Sequence, residues 1–133
     1  ITPLAFVDGF ETKFADTAGL AILSSESILA VSDDAVIINA EDSWNEYTSE
    51  PLGFTAAAVA VSPDKRYAYM LDADTPSLVS YKVLSNGREI GKFSATDLQS
   101  SGLNQIRISE SGHSILLFDD TRCDAITVMS VNR

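Results

Sequence analysis

The chain is 133 residues long, with 19 acidic against 9 basic residues and a formal net charge of −10. It therefore offers no basic cluster to displace counterions from a phosphate backbone or an anionic membrane, which excludes nucleic-acid and lipid-surface partners. A content of 45% hydrophobic and 8% aromatic residues is that of a globular domain with its own core, not of a disordered segment. No apolar run approaches the roughly 18 residues of a membrane-spanning helix. Cys123 is alone, so neither an internal disulfide nor a cysteine metal cage can form within one chain. The start at Ile1, with no signal peptide, reads as a processed or excised piece. The compartment stays open, a secreted or periplasmic setting being favoured.

In chain order, Pro3-Leu4-Ala5-Phe6 opens a first unit, and the polar segment Glu11 to Ala18 reads as a loop. Leu20 to Leu23 and Ile28 to Val31 are strand-length apolar runs separated by the turn Ser24-Ser25-Glu26-Ser27, and Val36-Ile37-Ile38 follows after Asp33-Asp34. The acidic stretch Glu41 to Tyr47 reads as a loop carrying Trp44. Pro51-Leu52-Gly53-Phe54 repeats the opening about 48 residues on. Ala58 to Val61 is small or β-branched on both faces and is expected to lie deep. Ser62-Pro63-Asp64-Lys65 reverses the chain, because Pro presets the turn and Asp bonds nearby amides. Tyr67 to Leu71 is the next strand, broken by Asp72-Ala73-Asp74-Thr75-Pro76, and Leu78 to Val83 the one after. The Asn86-Gly87 pair marks a hairpin into Ile90-Gly91-Lys92-Phe93, read as a third, weaker copy of the opening. Ser94 to Ser101 is expected to be a loop, with a turn of helix over Thr96 to Gln99. Gln105 to Ile108, the turn Ser109 to Gly112, Ile115 to Phe118, Asp119-Asp120 and Ala125 to Val131 then complete a third unit.

Units of roughly 40 to 50 residues, each with four strands, are the sequence signature of propeller blades. A two-sheet sandwich wets one face of each sheet and its strands alternate, whereas Ile28-Leu29-Ala30-Val31 and Ile115-Leu116-Leu117-Phe118 are apolar on both faces. The expected fold is all-β: one domain, residues 1 to 133, of three four-stranded antiparallel blade units at about 1–48, 49–86 and 87–133, making a half-propeller or a fragment of one. Since three blades are too few to close a ring, self-association or the remainder of a longer propeller is the expected partner.

SPDKRYAYMLDADTPSLVSYKVLSNGREIGKF, with ISESGHSILLFDDTRCDAITVMSV after it, resembles the YVTN-type repeats of lactonase-like propellers of the 6-phosphogluconolactonase fold. The opening ITPLAF is similar to the outer strand of those repeats. The resemblance implies the propeller fold at repeat level. It carries over no catalytic residue: Tyr69-Met70-Leu71-Asp72 stands where the repeat core reads Tyr-Val-Thr-Asn, and three units stand where such propellers have about seven.

Few residues point to chemistry. Asp33, Asp34, Asp72, Asp74, Asp119 and Asp120 fall at corresponding places and would share one rim, where carboxylates can collect a hard cation. Turn formation is the better account of them, because aspartate bonds its local backbone and Asp72-Ala73-Asp74 lacks the glycine-hinged pattern of a calcium loop. His113 beside Gly112 reads as an exposed turn residue and not a general base. Cys123, beside Arg122, reads as a tolerated loop cysteine. Trp44 and Tyr47 are the candidate ligand-binding aromatics, with blade-edge covering as the alternative. No cofactor is implied. A non-enzymatic module whose rim loops bind a protein or small ligand is favoured over a lactonase-like hydrolase using rim or channel carboxylates with a metal.

Overall fold

The computed structural model describes residues 19–24, 26–39, 45–72, 74–85, 87, 89–99 and 102–130. Among them there is no helix. Eleven strands form three antiparallel sheets in strict chain order. The first holds β1 (Gly19–Ser24), β2 (Ser27–Val31), β3 (Asp34–Asn39) and β4 (Asn45–Pro51). The second holds β5 (Ala56–Val61), β6 (Tyr67–Asp72), β7 (Ser77–Leu84) and β8 (Glu89–Asp97). The third holds β9 (Gln105–Ile108), β10 (Ser114–Asp119) and β11 (Arg122–Ser130). Each sheet is a meander, and the first strands β1, β5 and β9 lie side by side. This is the stacked-blade arrangement of a β-propeller, present here as three consecutive blades.

The two-sided apolar pattern of the middle strands is what stacking requires. Along β6, Ala68 and Met70 enter a core shared with the first blade, alongside Leu29, Val31, Ala35 and Ile37. The alternate residues Tyr69 and Leu71 enter a second core with Ile106, Ile115 and Leu117 of the third blade. Strand pleating sends successive side chains to opposite faces, so one strand feeds two cores and Ala68 to Leu71 are apolar without a break. In β7, Val79 and Tyr81 face the first blade while Leu78 faces the third. The run Ala58 to Val61 lies half-buried and not deep, since β5 is the first strand of its sheet and has no strand partner on its other edge.

The outer strands depart from expectation. Residues Ser94 to Asp97 continue β8 and form neither a loop nor a helical turn, pairing with Ser80 back to Ser77. Asn45, Glu46 and Tyr47 likewise belong to β4. Both are fourth strands with mostly polar sequences, and β8 is almost wholly exposed, so they carry no hydrophobic period. Pro51 ends β4 opposite Asp34, and Leu52 to Thr55 is the turn leaving it, with Gly53 at φ 81°. Its counterpart in the second blade is Asp97-Leu98, not Ile90 to Phe93. The Leu52 amide donates to the Asp33 carbonyl at 3.2 Å, and the Leu98 amide to the Pro76 carbonyl at 3.0 Å, in the same place. Cys123 lies in β11 and not in a loop. Pro3 to Val7, Glu11 to Ala18 and Trp44 lie outside the described residues.

Candidate functional site: the two rims of the blade stack

Consecutive antiparallel strands place every first-to-second turn and third-to-fourth connection at one end of the stack, and every second-to-third turn and blade linker at the other. The first end is built on serine. Ser62 is wholly buried; its hydroxyl donates to Asp64 Oδ1 at 2.6 Å and accepts from the Tyr67 amide at 3.1 Å. In the third blade the Ser109 hydroxyl accepts from the Ser114 amide at 3.1 Å. Backbone bonds match as well: Lys65 donates to the Ser62 carbonyl and Gly112 to that of Ser109, both at 2.9 Å. Lys65 and Gly112 share left-handed φ values of 62° and 78°. The first blade makes the turn with three fewer residues between its strands, through a hydroxyl pair between Ser24 and Ser27 at 2.8 Å. Gly87, at φ 86° in the β7–β8 turn, packs onto that pair; a Cβ there would stand 2.6 Å from Ser27 Oγ. His113 is exposed at this end, its amide donating to Ser111 Oγ at 3.3 Å.

The second end carries the aspartates, and its carboxylates are committed to local donors. Asp72 is buried and accepts from the Asp74 amide at 3.0 Å and from Thr75 Oγ1 at 2.7 Å. Asp119, also buried, accepts from the Thr121 amide at 2.9 Å and from its hydroxyl at 2.7 Å. Asp33 takes the Thr55 hydroxyl at 2.5 Å, and the Ala56 amide bonds the Ser32 carbonyl at 2.9 Å, so this turn fastens the linker into the second blade. Asp120 and Asn104 exchange two bonds: Asn104 Nδ2 donates to Asp120 Oδ1 at 3.1 Å, and the Asp120 amide to Asn104 Oδ1 at 3.2 Å. Asp34 and Asp74 are exposed. Among the described residues no three of His, Cys, Asp or Glu gather closely enough to hold a metal ion, and no buried side-chain polar atom lacks a partner. The aspartates share one rim without converging. Asp72 and Asp119 bond a threonine of their own turns, which the Asp-x-x-Thr and Asp-x-Thr spacings signal, whereas Asp33 and Asp120 reach Thr55 and Asn104 of the blade linkers; all these partners went unread in the sequence.

Tyr47 occupies a β-bulge. Ile37 pairs with Thr48 and Ile38 with Glu46, leaving Tyr47 as the extra residue of β4. Phe93 has the same place in β8, between the pairs Ser80 with Ser94 and Tyr81 with Lys92. Bulges re-aim a side chain and interrupt an edge. Phe93 is 56% exposed, with Lys82 Nζ 4.7 Å from its ring centroid and the Tyr67 ring at 5.7 Å. This aromatic cluster at the outer edge was not foreseen, since its members come from three strands.

No protein-family model matches the sequence, and no curated protein matches it. Solved structures do resemble the fold. A periplasmic gluconolactonase of Pseudomonas aeruginosa superposes with a TM-score of 0.71 at 18% identity, over 85% of this chain and 35% of that one. A putative 6-phosphogluconolactonase of Bacteroides fragilis gives 0.70 at 16%, over 85% and 34%. The WD40 repeats of RRP9 give 0.67 at 8%, over 86% and 42%. The chain thus spans between a third and a half of these structures, and what it shares with them is the propeller fold, lactonase-like and WD40 alike. Among the described residues no helix is long and apolar enough to cross a membrane.

Proposed function

We propose that this chain is a propeller binding module, with no chemistry of its own, whose rim connections contact a protein or small ligand. The observation that carries the reading is the engagement of Asp33, Asp72, Asp119 and Asp120 with hydroxyl, amide and carboxamide donors of their own turns and linkers. A carboxylate held in this way organises the rim instead of activating water. The contact region we favour is the β3–β4 connection with Trp44 and the bulged Tyr47, where a bulge breaks the ladder. The likeness to WD40 repeats supports a binding role. The likeness to gluconolactonase structures supports a second reading, a metal-assisted lactone hydrolase.

Gluconolactone hydrolysis, followed by acid release with and without added Ca²⁺ or Mg²⁺, separates the two. The binding reading expects the buffer rate throughout. Hydrolysis above background that is lost in Asp72→Asn or Asp119→Asn overturns it. Trp44 is the one tryptophan, so its emission reports directly on ligands at the favoured connection.

A further inference from the structure

Charge is distributed unevenly at the serine end of the stack. Five of the chain's nine lysines and arginines lie between Lys65 and Lys92, in a chain whose net charge is −10. Strand pairing gathers them. The Val83 amide donates to the Arg66 carbonyl at 2.8 Å, and Lys82 lies in register between Tyr67 of β6 and Gly91 of β8. Lys82 Nζ stands 4.7 Å from the Phe93 ring centroid, and Leu84 Cδ1 lies 3.4 Å from where a Gly91 Cβ would stand. Lys65, Arg66, Lys82 and Lys92 are all exposed, and the exposed apolar side chains Phe93 and Leu84 are set among them. Asp64 and Glu89, the neighbouring carboxylates, serve the turns: Asp64 accepts from the Ser62 hydroxyl at 2.6 Å and the Arg66 amide at 3.1 Å, and Glu89 from the Ser85 hydroxyl at 3.1 Å. The second blade is flanked by a blade on each face, and these turn and edge positions stay exposed between them. The matching turns of those neighbours reverse the sign, exposing Glu26 in the first blade and Glu110 in the third.

We infer that this patch binds an acidic peptide segment carrying one large apolar side chain. Carboxylates of the segment pair with Arg66, Lys65 and Lys82, the guanidinium taking one of them through both oxygens, while the apolar side chain lies against Phe93 and Leu84. Lys82, held over the Phe93 ring, keeps a cation beside that apolar contact. Attraction at such a patch acts within about 8 Å at physiological salt, so the acidic balance of the rest of the chain does not cancel it. A nucleic-acid backbone would run off the patch toward Glu26 on one side and Glu110 on the other, whereas a short segment would not. The bulge at Phe93 and the lysine beside it blunt the edge of β8, so recognition runs through side chains and not through an added strand. The inference rests on the binding-module reading and supplies its partner, at the end of the stack that carries the β3–β4 connection.

Fluorescence anisotropy of a labelled peptide, glutamates flanking one phenylalanine, titrated with the whole chain, is the test. The peptide binds, more weakly as salt is raised, and its counterpart with glutamine for every glutamate does not. Arg66→Glu and Lys82→Glu each weaken binding about tenfold or more; Lys65→Glu and Lys92→Glu, at exposed positions, replace either variant that lacks the parent circular dichroism. Phe93→Ser weakens binding about threefold or more with the charge unchanged, and Glu110→Gln strengthens it. Arg107→Glu, the same change of net charge outside the patch, alters it less than about twofold. A flat titration of the parent overturns the inference, as do reversals within the patch that weaken binding no more than Arg107→Glu. Oligothymidylate bound as tightly as the peptide overturns it in favour of a nucleic-acid site. Gluconolactone turnover bears on the binding-module reading alone, so failure of that reading is told apart from failure of this one.

Discussion

Leu117→Ala is the substitution whose cost follows most directly from the stacked arrangement. Leu117 has no exposed surface. It sits mid-strand in β10, paired with Ile106 on one side and Thr127 on the other, in the core between the second and third blades. Removing three carbons at about 0.8 kcal/mol each forfeits about 2.4 kcal/mol of transfer free energy. A cavity term adds to this because two hydrogen-bonded neighbours hold the strand in place, giving about 3 to 4 kcal/mol within the usual range for such truncations. For a chain of this length that is a fall in Tm of about 10 °C or more. Urea titration followed by circular dichroism measures it, with Leu84→Ala, at a position 43% exposed, as the control costing under about 1 kcal/mol. A loss below about 0.5 kcal/mol for Leu117→Ala, or equal losses for the two variants, would refute the placement of β10 between packed faces.

The other expectations concern the turns. Ser62→Ala strands the Tyr67 amide at a buried site and should cost about 1 to 3 kcal/mol, whereas Ser109→Ala, half-exposed, should cost less than about 1 because water can replace the hydroxyl; equal costs in chemical denaturation would contradict the matched turns. Gly87→Ala places a non-glycine residue at φ 86° and a Cβ against Ser27 Oγ, so a loss of at least about 1 to 2 kcal/mol is expected by thermal melting. Asp72→Asn keeps an acceptor for the Asp74 amide and should be milder than Asp72→Ala by about 1 kcal/mol. Chelator should leave the melting temperature unchanged; a fall would reinstate a metal at the aspartate rim.

How far the sequence discloses this fold depends on which strand is in question. β2, β6 and β10 are legible because stacking makes them apolar on both faces, a pattern a half-wet sheet does not produce. β4 and β8 are not legible. Asn45–Pro51 is polar apart from Tyr47 and Pro51, and Glu89–Asp97 is almost wholly exposed, so their pairing is fixed by backbone bonds to β3 and β7, which leave no trace in hydropathy. The copy assigned to Ile90 slipped because turn and linker lengths differ between blades while a fixed period assumes that they do not. The aspartates are legible as turn formers and their shared rim follows from strand count. The local partners Thr75 and Thr121 are signalled by their spacing, the linker partners Thr55 and Asn104 are visible only once the blades are built, and the bulges that single out Tyr47 and Phe93 appear only in the register.

The stacking of one blade's first strand beside the next is tested most directly by a cross-link between Gly19 and Val59. A Cβ at Gly19 would lie 2.8 Å from Val59 Cγ1, and Val59→Cys removes that methyl group, which brings two cysteines within the roughly 3.5 to 4.5 Å Cβ separation of a disulfide. In the Gly19→Cys, Val59→Cys chain with Cys123→Ser, mild oxidation should close an intrachain bond in nearly all molecules, read as the loss of two hydrogens in the intact mass and of both free thiols. If both thiols stay free after oxidation of the folded chain, β1 and β5 are not neighbours and the blade stack is wrong.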